Sequence, residues 1–352
     1  MAHGIVPPYL LTRIARLDDA RFALAATAAA RALAHDEPMR AARLRFSLDD
    51  TDTLIAEFTD APERTIADAG RIEHLPGRIV RREGDPATGD LAADEAYDGL
   101  GATFALFSEV YGRNSIDGAG LPLDASVHYG ELYDNAFWNG ERMVFGDGDG
   151  EIFDRFTTSV TVIGHELSHG VVQYTAGLVY RGQSGALNES VADVFGALVE
   201  QYALEQDVAA ASWLIGEGLF TDQVEGNALR SMSAPGTAYD DDVLGKDPQP
   251  AHFDDYIDTD DDNGGVHLNS GIPNRAFFLA AEAIGGNAWE RAGQVWYDAL
   301  QSDITARVDF AGFAAATVRA ASERYGESSV EVDAVRAGWA GVGVNSDGLA
   351  AD

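Results

Sequence analysis

His165, Glu166 and His169 fall within five consecutive positions of VIGHELSHGVVQYTAGL, residues 162–178. Two histidines four apart share one face of a helix, and two imidazoles so placed can take adjacent corners of a tetrahedral zinc site. The glutamate between them then projects beside the metal without ligating it, where a general base has to stand. His-Glu-x-x-His also arises by chance on buried helices, so a third ligand decides the reading. The run NESVAD begins 23 positions after His165. Glu189 can close the ligand tripod, and Asp193 lies one turn further on the same face, where a carboxylate behind a zinc-bound imidazole fixes its tautomer and raises its basicity. Glu189 taken alone is an ordinary surface carboxylate; the upstream pair makes it a ligand. Zinc lowers the pKa of bound water toward about 7 and polarises a scissile carbonyl. Glu166 can take the water proton and deliver it to the leaving nitrogen, so amide hydrolysis needs neither a serine nor a cysteine nucleophile.

The elements that must position these groups are readable from periodicity. Phe156, Val160, Ile163, Leu167, Val171 and Tyr174 recur three or four apart, which predicts a helix with the histidines opposite its apolar stripe and Gly177 at its C-terminal cap. A second helix is expected over about residues 188–203, and several more toward the C-terminus. Residues 64–154 read as strand and turn in TIADAG, GRIVRREG and SVHYG, interrupted by one helix over ADEAYDGLGATFALFSEVYG. GDGDG at 146–150 lacks the twelve-residue spacing of a calcium loop and reads as a tight turn. Upstream, DDARFALAATAAARALAHDEPMRAARLRF is alanine-rich and helical in propensity. An acidic stretch follows, with candidate linker residues 49–63, so the N-terminus is either a pro-segment or a docked arm.

Composition narrows the function classes. The 352 residues carry a net charge of −34, which repels nucleic acid and anionic membrane, so neither is expected as a partner. Lys246 is the single lysine. Low lysine with abundant aspartate suits a high-salt cytoplasm, where charge is screened over roughly 3 Å at 1 M salt, or a GC-rich genome. No cysteine is present, so any metal site must use His, Asp and Glu. MAHGIVPPYLLTRIARLDD does not read as a signal peptide, since two prolines break a short apolar run and charges follow at once. No apolar run has the length of a membrane span. The expectation is a soluble product, cytoplasmic as synthesised, with export by another route left open.

GHELSHGVVQYTAGLVY, GALNESVADVFG, DNAFWNGERMVFGDGDG, LRSMSAP and DNGGVHLNSGI resemble, in order and spacing, segments of the thermolysin family of zinc metallopeptidases. The resemblance covers nearly everything from Arg64 to the C-terminus. VPPYLL and the short region upstream resemble the protealysin subgroup, which carries a compact precursor segment. The fold implied is α+β and two-lobed: a precursor segment over 1–58, a β-rich N-terminal lobe with the HExxH helix over 59–185, a mainly helical C-terminal lobe over 186–352, and zinc in the cleft.

By the same resemblance the zinc ligands are His165, His169 and Glu189, with Glu166 as base and Asn188 and Asp193 supporting the ligands. Tyr180 and His267, the latter oriented by Asp262, would donate hydrogen bonds to the tetrahedral oxyanion. Arg230 would grip a substrate carbonyl and help to hold Glu189. Asn135 and Ala136 would pair with substrate backbone as a sheet edge does. Phe153, Val162, Ile215 and Leu229 would line the pocket after the scissile bond, which favours Leu, Phe or similar residues on the amine side of the cut. Pro7, Pro8, Tyr9 and Leu10 would belong to a segment that covers the cleft and acts as an intramolecular inhibitor. The sequence departs from the family at its double calcium site: Glu200 and Glu217 remain, but Thr161, Ser212 and Leu214 replace acids, so one catalytic zinc is expected and a paired calcium cluster is not. A single calcium elsewhere stays open. His3, His35, His74, His128 and His252 match no site motif and read as structural or solvated. The competing readings are a catalytically inactive zinc scaffold or interaction module of the same fold, and an accidental HExxH in a binding protein.

Overall fold

A computed structural model describes residues 3–43 and 61–347. Most of the expected linker, residues 49–63, lies outside the described residues, as does the expected 58/59 boundary. The N-terminal region opens with a two-residue strand, β1 (His3–Gly4), and continues into helices α1 (Pro8–Ile14) and α2 (Ala23–Arg43). Pro8 suits the first turn of α1, where a missing N–H costs nothing. Leu10, Leu11 and Ile14 are buried, so this region is built into the molecule's core.

Alternation and β-branching yield β2 (Arg64–Asp68) and β3 (Arg78–Arg82). Helix α3 (Leu91–Ala105) follows, its first turn capped by Asp90, whose carboxylate accepts the Ala93 N–H at 3.0 Å. Then come β4 (Leu123–Val127), β5 (Ala136–Trp138) and β6 (Met143–Phe145). The six strands form one mixed sheet in the order β1-β5-β6-β4-β2-β3. β1 pairs antiparallel with β5, so the extreme N-terminus supplies an edge strand to the lobe built by residues 64–154.

His128, in the left-handed region just after β4, ties this lobe together. Its Nδ1 lies 2.7 Å from Asp147 Oδ1 in the GDGDG turn and its Nε2 3.0 Å from Asp90 Oδ2 at the start of α3. The Asp147 hydrogen bond, opposed by burial and helped by both carboxylate charges, raises the ring to about 9. Because the folded pKa exceeds the unfolded value, this stabilisation is complete below about pH 6.5 and is lost as pH rises through about 9. The thermal midpoint is therefore expected to fall between neutrality and pH 10, and His128→Gln to flatten that part of the profile. An unchanged slope in the variant would count against the triad.

Two long helices carry the chemistry. α4 (Val160–Gln173) and α5 (Gly182–Ala203) run against each other, and glycine sets their separation: a Cβ on Gly196 would stand 2.6 Å from the Thr161 carbonyl, and one on Gly164 3.0 Å from Gly196 Cα. Ile163, Leu167 and Val171 are buried on the expected stripe, worth about 1.5–3 kcal/mol each. The opposite face is buried as well, because α5 covers it. α5 starts at Gly182, six residues before the expected start at about 188. Its first turn, GQSGAL, lacks a strong helical pattern and is held by tertiary packing, with Gly185 against Val266. Short strands β7 (Leu214–Ile215) and β8 (Arg230–Ser231) pair antiparallel, and helices α6 (Asp262–Asn269), α7 (Gly271–Ile284), α8 (Ala292–Gln301), α9 (Phe310–Tyr325) and α10 (Val330–Gly341) complete the second lobe. No helix of the described residues is long and apolar enough to cross a membrane.

Candidate metal centre and cleft

α4 presents His165 and His169, and α5 presents Glu189, with one ligand atom from each lying within 4.8 Å of the others. Among the described residues this is the one such cluster of three or more. His165 Nδ1 lies 2.7 Å from Asp193 Oδ1 and His169 Nδ1 2.8 Å from Asn188 Oδ1. Both acceptors require N–H at Nδ1 and so leave lone pairs at the two Nε2 atoms. Those atoms are 3.1 Å apart, and each is 3.5 Å from a Glu189 oxygen. Facing lone pairs and a carboxylate in a buried space repel unless a cation joins them. Neutral imidazoles and a carboxylate, with Nδ1 protons fixed from behind, are the donor set of a zinc site, and these residues fit zinc. Glu189 Oε2 is buried without a hydrogen-bond donor among the described residues. Burial raises the Glu189 carboxyl, and the positive charge around it, that of His267 foremost and Arg230 with it, outweighs burial and lowers its pKa.

Glu166 is fully buried beside this centre, and its Oε2 accepts the Trp138 N–H from β5 at 3.0 Å. The sheet edge thus fixes the carboxylate. Tyr180 donates its hydroxyl proton to Glu189 Oε1, and its oxygen lies 3.2 Å from His267 Nε2. His267 reaches the site because Asp262, Asn263, Gly264 and Gly265 all take positive φ, a left-handed run that turns the chain into α6 and that glycine makes affordable. Asp262 accepts from the His267 backbone N–H at 2.9 Å and faces its Nδ1 at 2.7 Å. Burial opposes charge on this ring, but the Asp262 and Glu189 carboxylates outweigh it and raise its pKa. The shift favours the form with a proton on each ring nitrogen, in which Nε2 can donate.

Arg230, fully buried, places its guanidinium fork on Asp193, with Nε to Oδ2 at 2.9 Å and Nη2 to Oδ1 at 2.8 Å. Its expected help to Glu189 comes through charge, since the fork itself lies on Asp193. Its remaining Nη1 donates to the Ile5 carbonyl at 3.0 Å. Asn135 Oδ1 accepts the Val6 N–H at 3.0 Å, and the Ala136 carbonyl accepts the Ile5 N–H at 3.1 Å. The groups expected to grip peptide backbone therefore grip the chain's own N-terminus. The approach is close: a Cβ on Gly4 would stand 2.0 Å from Asn135 Nδ2. Phe153, Val162, Ile215 and Leu229 are all buried, with Leu229 N–H donating to the Ile215 carbonyl at 2.9 Å.

The N-terminal region engages both lobes. Pro7 and Pro8 start α1, and Arg13 from its last turn donates to the Val243 and Asp242 carbonyls at 2.7 and 3.0 Å. The Tyr9 hydroxyl is buried toward Tyr239, and burial with the neighbouring Tyr239 and Asp247 pushes it up. From α2, His35 Nε2 meets the Tyr129 hydroxyl at 2.7 Å and its ring sits edge-on to Tyr129 and Tyr133. Of the histidines read as structural or solvated, His35 and His128 are structural, each held by these contacts.

At the positions where a paired calcium cluster was not expected, burial and then the Glu217 charge raise Glu200 to about 7, and Thr161 Oγ1 accepts the Gly216 N–H at 2.9 Å. Two site residues went unread. Asn274 Nδ2 donates to Asp193 Oδ2 at 2.8 Å, and Gln249 Nε2 donates to the His267 carbonyl at 2.7 Å. Each is an isolated amide whose partner is set by folding, so the sequence gives no signal for either.

Comparison with known proteins agrees with this geometry. Residues 38–173 match the family domain described as thermolysin metallopeptidase, catalytic domain, and residues 176–344 match its alpha-helical domain. An extracellular metalloprotease of Pectobacterium carotovorum subsp. carotovorum is 54% identical over 282 residues, 80% of this chain and 81% of that protein. Protease PrtS of Photorhabdus sp. (strain Az29) is 48% identical over 333 residues, covering 92% of this chain and 88% of its own. The solved precursor of protealysin, a metalloproteinase from Serratia proteamaculans, superposes with a TM-score of 0.88 at 50% identity, covering 97% of this chain and 100% of that one. The cytoplasmic expectation is overturned here, because a relative at 54% identity is named extracellular, which points to secretion. The residue types at the N-terminus test for one export address only, so they were a poor guide to compartment. With the matched domains, the relatives and the His165–His169–Glu189 centre in agreement, the chain belongs to the thermolysin family of metallopeptidases, in the precursor form that protealysin represents.

Proposed function

We propose that this metalloprotease cuts peptide bonds on the amine side of bulky apolar residues and is held inactive by its own N-terminal segment until that segment is removed. The observation that carries the proposal is the hydrogen bonding of Ile5 and Val6 to Arg230, Asn135 and Ala136, the groups expected to hold a substrate backbone. A chain that fills its own peptide-binding edge leaves no room for another.

His165, His169 and Glu189 hold the zinc ion, which when bound polarises the scissile carbonyl and makes the attacking water acidic. Glu166 accepts the water proton and passes it to the leaving nitrogen. Tyr180 and His267 hydrogen-bond the oxygen on which negative charge develops; such stabilisation acts most strongly where water is excluded. Arg230 and Asn135 orient the peptide, and the apolar lining at Phe153, Val162, Ile215 and Leu229 selects the side chain after the cut. Glu166 buried beside the ligands speaks against an inactive scaffold, since a purely structural zinc has no use for an uncoordinated base.

Intact mass followed over time, with and without a zinc chelator, tests the proposal. The expected result is a chelator-sensitive loss of the N-terminal region by cleavage within 49–64, accompanied by the appearance of hydrolysis of a peptide with Leu or Phe on the amine side. A full-length chain that already hydrolyses that peptide at its final rate would overturn the inhibitory reading.

A further inference from the structure

Asp134 immediately precedes the Asn135–Ala136 edge and is 0% exposed. Neither of its carboxylate oxygens has a hydrogen-bond partner of ordinary geometry among the described residues, and the same holds for Asp149 Oδ2; the nearest N–H is that of Asp149, which acts on the Asp134 carboxylate and lowers its pKa. The other oxygen of Asp149 is saturated: Oδ1 accepts the N–H groups of Glu151 and Ile152 at 2.6 Å each, and that of Phe153 at 3.4 Å. The two carboxyls are neighbours, close enough for Asp149 to act on Asp134 both by charge and as a hydrogen-bonding side chain. Two bare carboxylates about 4 Å apart repel by about 4 kcal/mol even at an effective dielectric of 20. One proton between them removes the repulsion and joins two of the three orphaned oxygens, one from each carboxyl, in a strong acid–carboxylate hydrogen bond.

The pair sits where two walls of the cleft meet. Asp134 leads into the edge that holds the Ile5 and Val6 backbone, and Asp149 organises the turn that ends at Phe153. Backbone contacts run beside it, with Gly146 N–H to the Asn135 carbonyl at 3.0 Å and Gly148 N–H to the Tyr133 carbonyl at 3.3 Å. We propose that Asp134 and Asp149 form a buried acid–carboxylate clasp, sharing one proton, that positions the Asn135–Ala136 edge and the Phe153 wall for peptide binding. Both are positioning residues, since neither touches the metal centre. The inference extends the peptidase reading to the geometry of its substrate edge.

Other charges facing the clasp favour retention of that proton. Burial raises the Asp134 carboxyl first, followed by the Asp149 carboxyl and then Glu151, and together they outweigh the Asp149 backbone N–H, which lowers it. Glu151 is itself engaged, its Oε2 accepting the Ala25 N–H of α2 at 3.0 Å. Asp147, two residues from Asp149, is taken by His128 and lies 3.6 Å from Arg71. No cation is therefore directed at Asp134 from these groups.

The test combines infrared difference spectroscopy on the full chain with steady-state kinetics on the self-processed enzyme, for wild type, Asp134→Asn, Asp134→Ala and Asp149→Asn. Spectra are taken above the titration of Glu200, itself pushed up to about 7. The wild type minus Asp134→Asn spectrum should show a protonated carboxylic acid band. Asp134→Ala should raise KM roughly tenfold, the size of one buried hydrogen bond lost, with a smaller change in kcat. Asp134→Asn keeps a donor toward Asp149 and should retain the parent KM. KM of the wild type should climb on the alkaline side as the shared proton leaves, and that climb should be absent in Asp134→Asn. If the alanine chain does not fold, Asp149→Asn decides, because its amide can donate to Asp134 and should preserve KM without the alkaline climb. A difference spectrum without an acid band, or asparagine variants as impaired as alanine, overturns the clasp. A wild type without peptide hydrolysis would overturn the peptidase reading instead, and the infrared arm would still decide the shared proton.

Discussion

Replacing Glu166 by alanine is expected to leave about one zinc per chain and to cut kcat for peptide hydrolysis by about 10²–10⁴-fold. His165 and His169 take their Nδ1 protons to Asp193 and Asn188, and Glu189 comes from a different helix, so none of the ligands depends on Glu166. The alanine chain should also fail to shorten itself, since processing and hydrolysis would share one base. Metal content by elemental analysis, together with kcat, separates the outcomes. Undiminished cleavage by the zinc-loaded variant would sink the mechanism, and loss of zinc would show that Glu166 is a ligand. Trp138 N–H, which donates to Glu166 Oε2 at 3.0 Å, would lose its partner and cost about 1–3 kcal/mol of stability.

Asp193→Ala should be the most destabilising single change in the cleft, by about 3–5 kcal/mol. Asp193 and Arg230 are both 0% exposed, and the carboxylate receives the arginine fork, His165 Nδ1 and Asn274 Nδ2. Removing it strands a guanidinium that has no other carboxylate in hydrogen-bond reach among the described residues, and it frees His165 to adopt the other tautomer. Zinc affinity should fall by about 10–100-fold as a result. The same contacts set an acid limit. Burial raises the Asp193 carboxyl, but the Arg230 charge and the His165 hydrogen bond outweigh it and hold it well below the usual carboxylate range. A depressed folded value gives stability that is fully present above the unfolded pKa, about 3.9, and is lost as pH falls through the folded one. Denaturant unfolding of the alanine variant checks the magnitude. A midpoint close to wild type would mean that Arg230 finds another anion.

The zinc centre was largely legible in the sequence because helical periodicity converts spacing into direction. His165 and His169 four apart must share a face, and Glu189 with Asp193 four apart must do the same on the partner helix. The strand, turn and helix pattern of residues 64–203 was similarly visible, since half-buried strands and amphipathic helices leave period-specific traces. The start of α5 was misplaced because GQSGAL is helical only through packing against Val266. That the Arg230 fork lies on Asp193 was not legible, because a resemblance can name a residue's neighbourhood without fixing which of two carboxylates is nearer.

What the sequence determined by itself was the chemistry: which side chains can ligate, which can carry protons, and that cysteine plays no part. The tertiary structure alone decided how those groups are joined across long separations. Ile5 meets Arg230, Val6 meets Asn135 and Trp138 holds Glu166, each through contacts between segments far apart in the chain, and Asp134 finds Asp149 across the β5–β6 hairpin. Backbone N–H and carbonyl groups are identical at every residue, and a buried carboxylate looks like a surface one on paper. Only folding specifies which backbone group faces which side chain, and only burial converts Asp134 from a solvated charge into a shared proton.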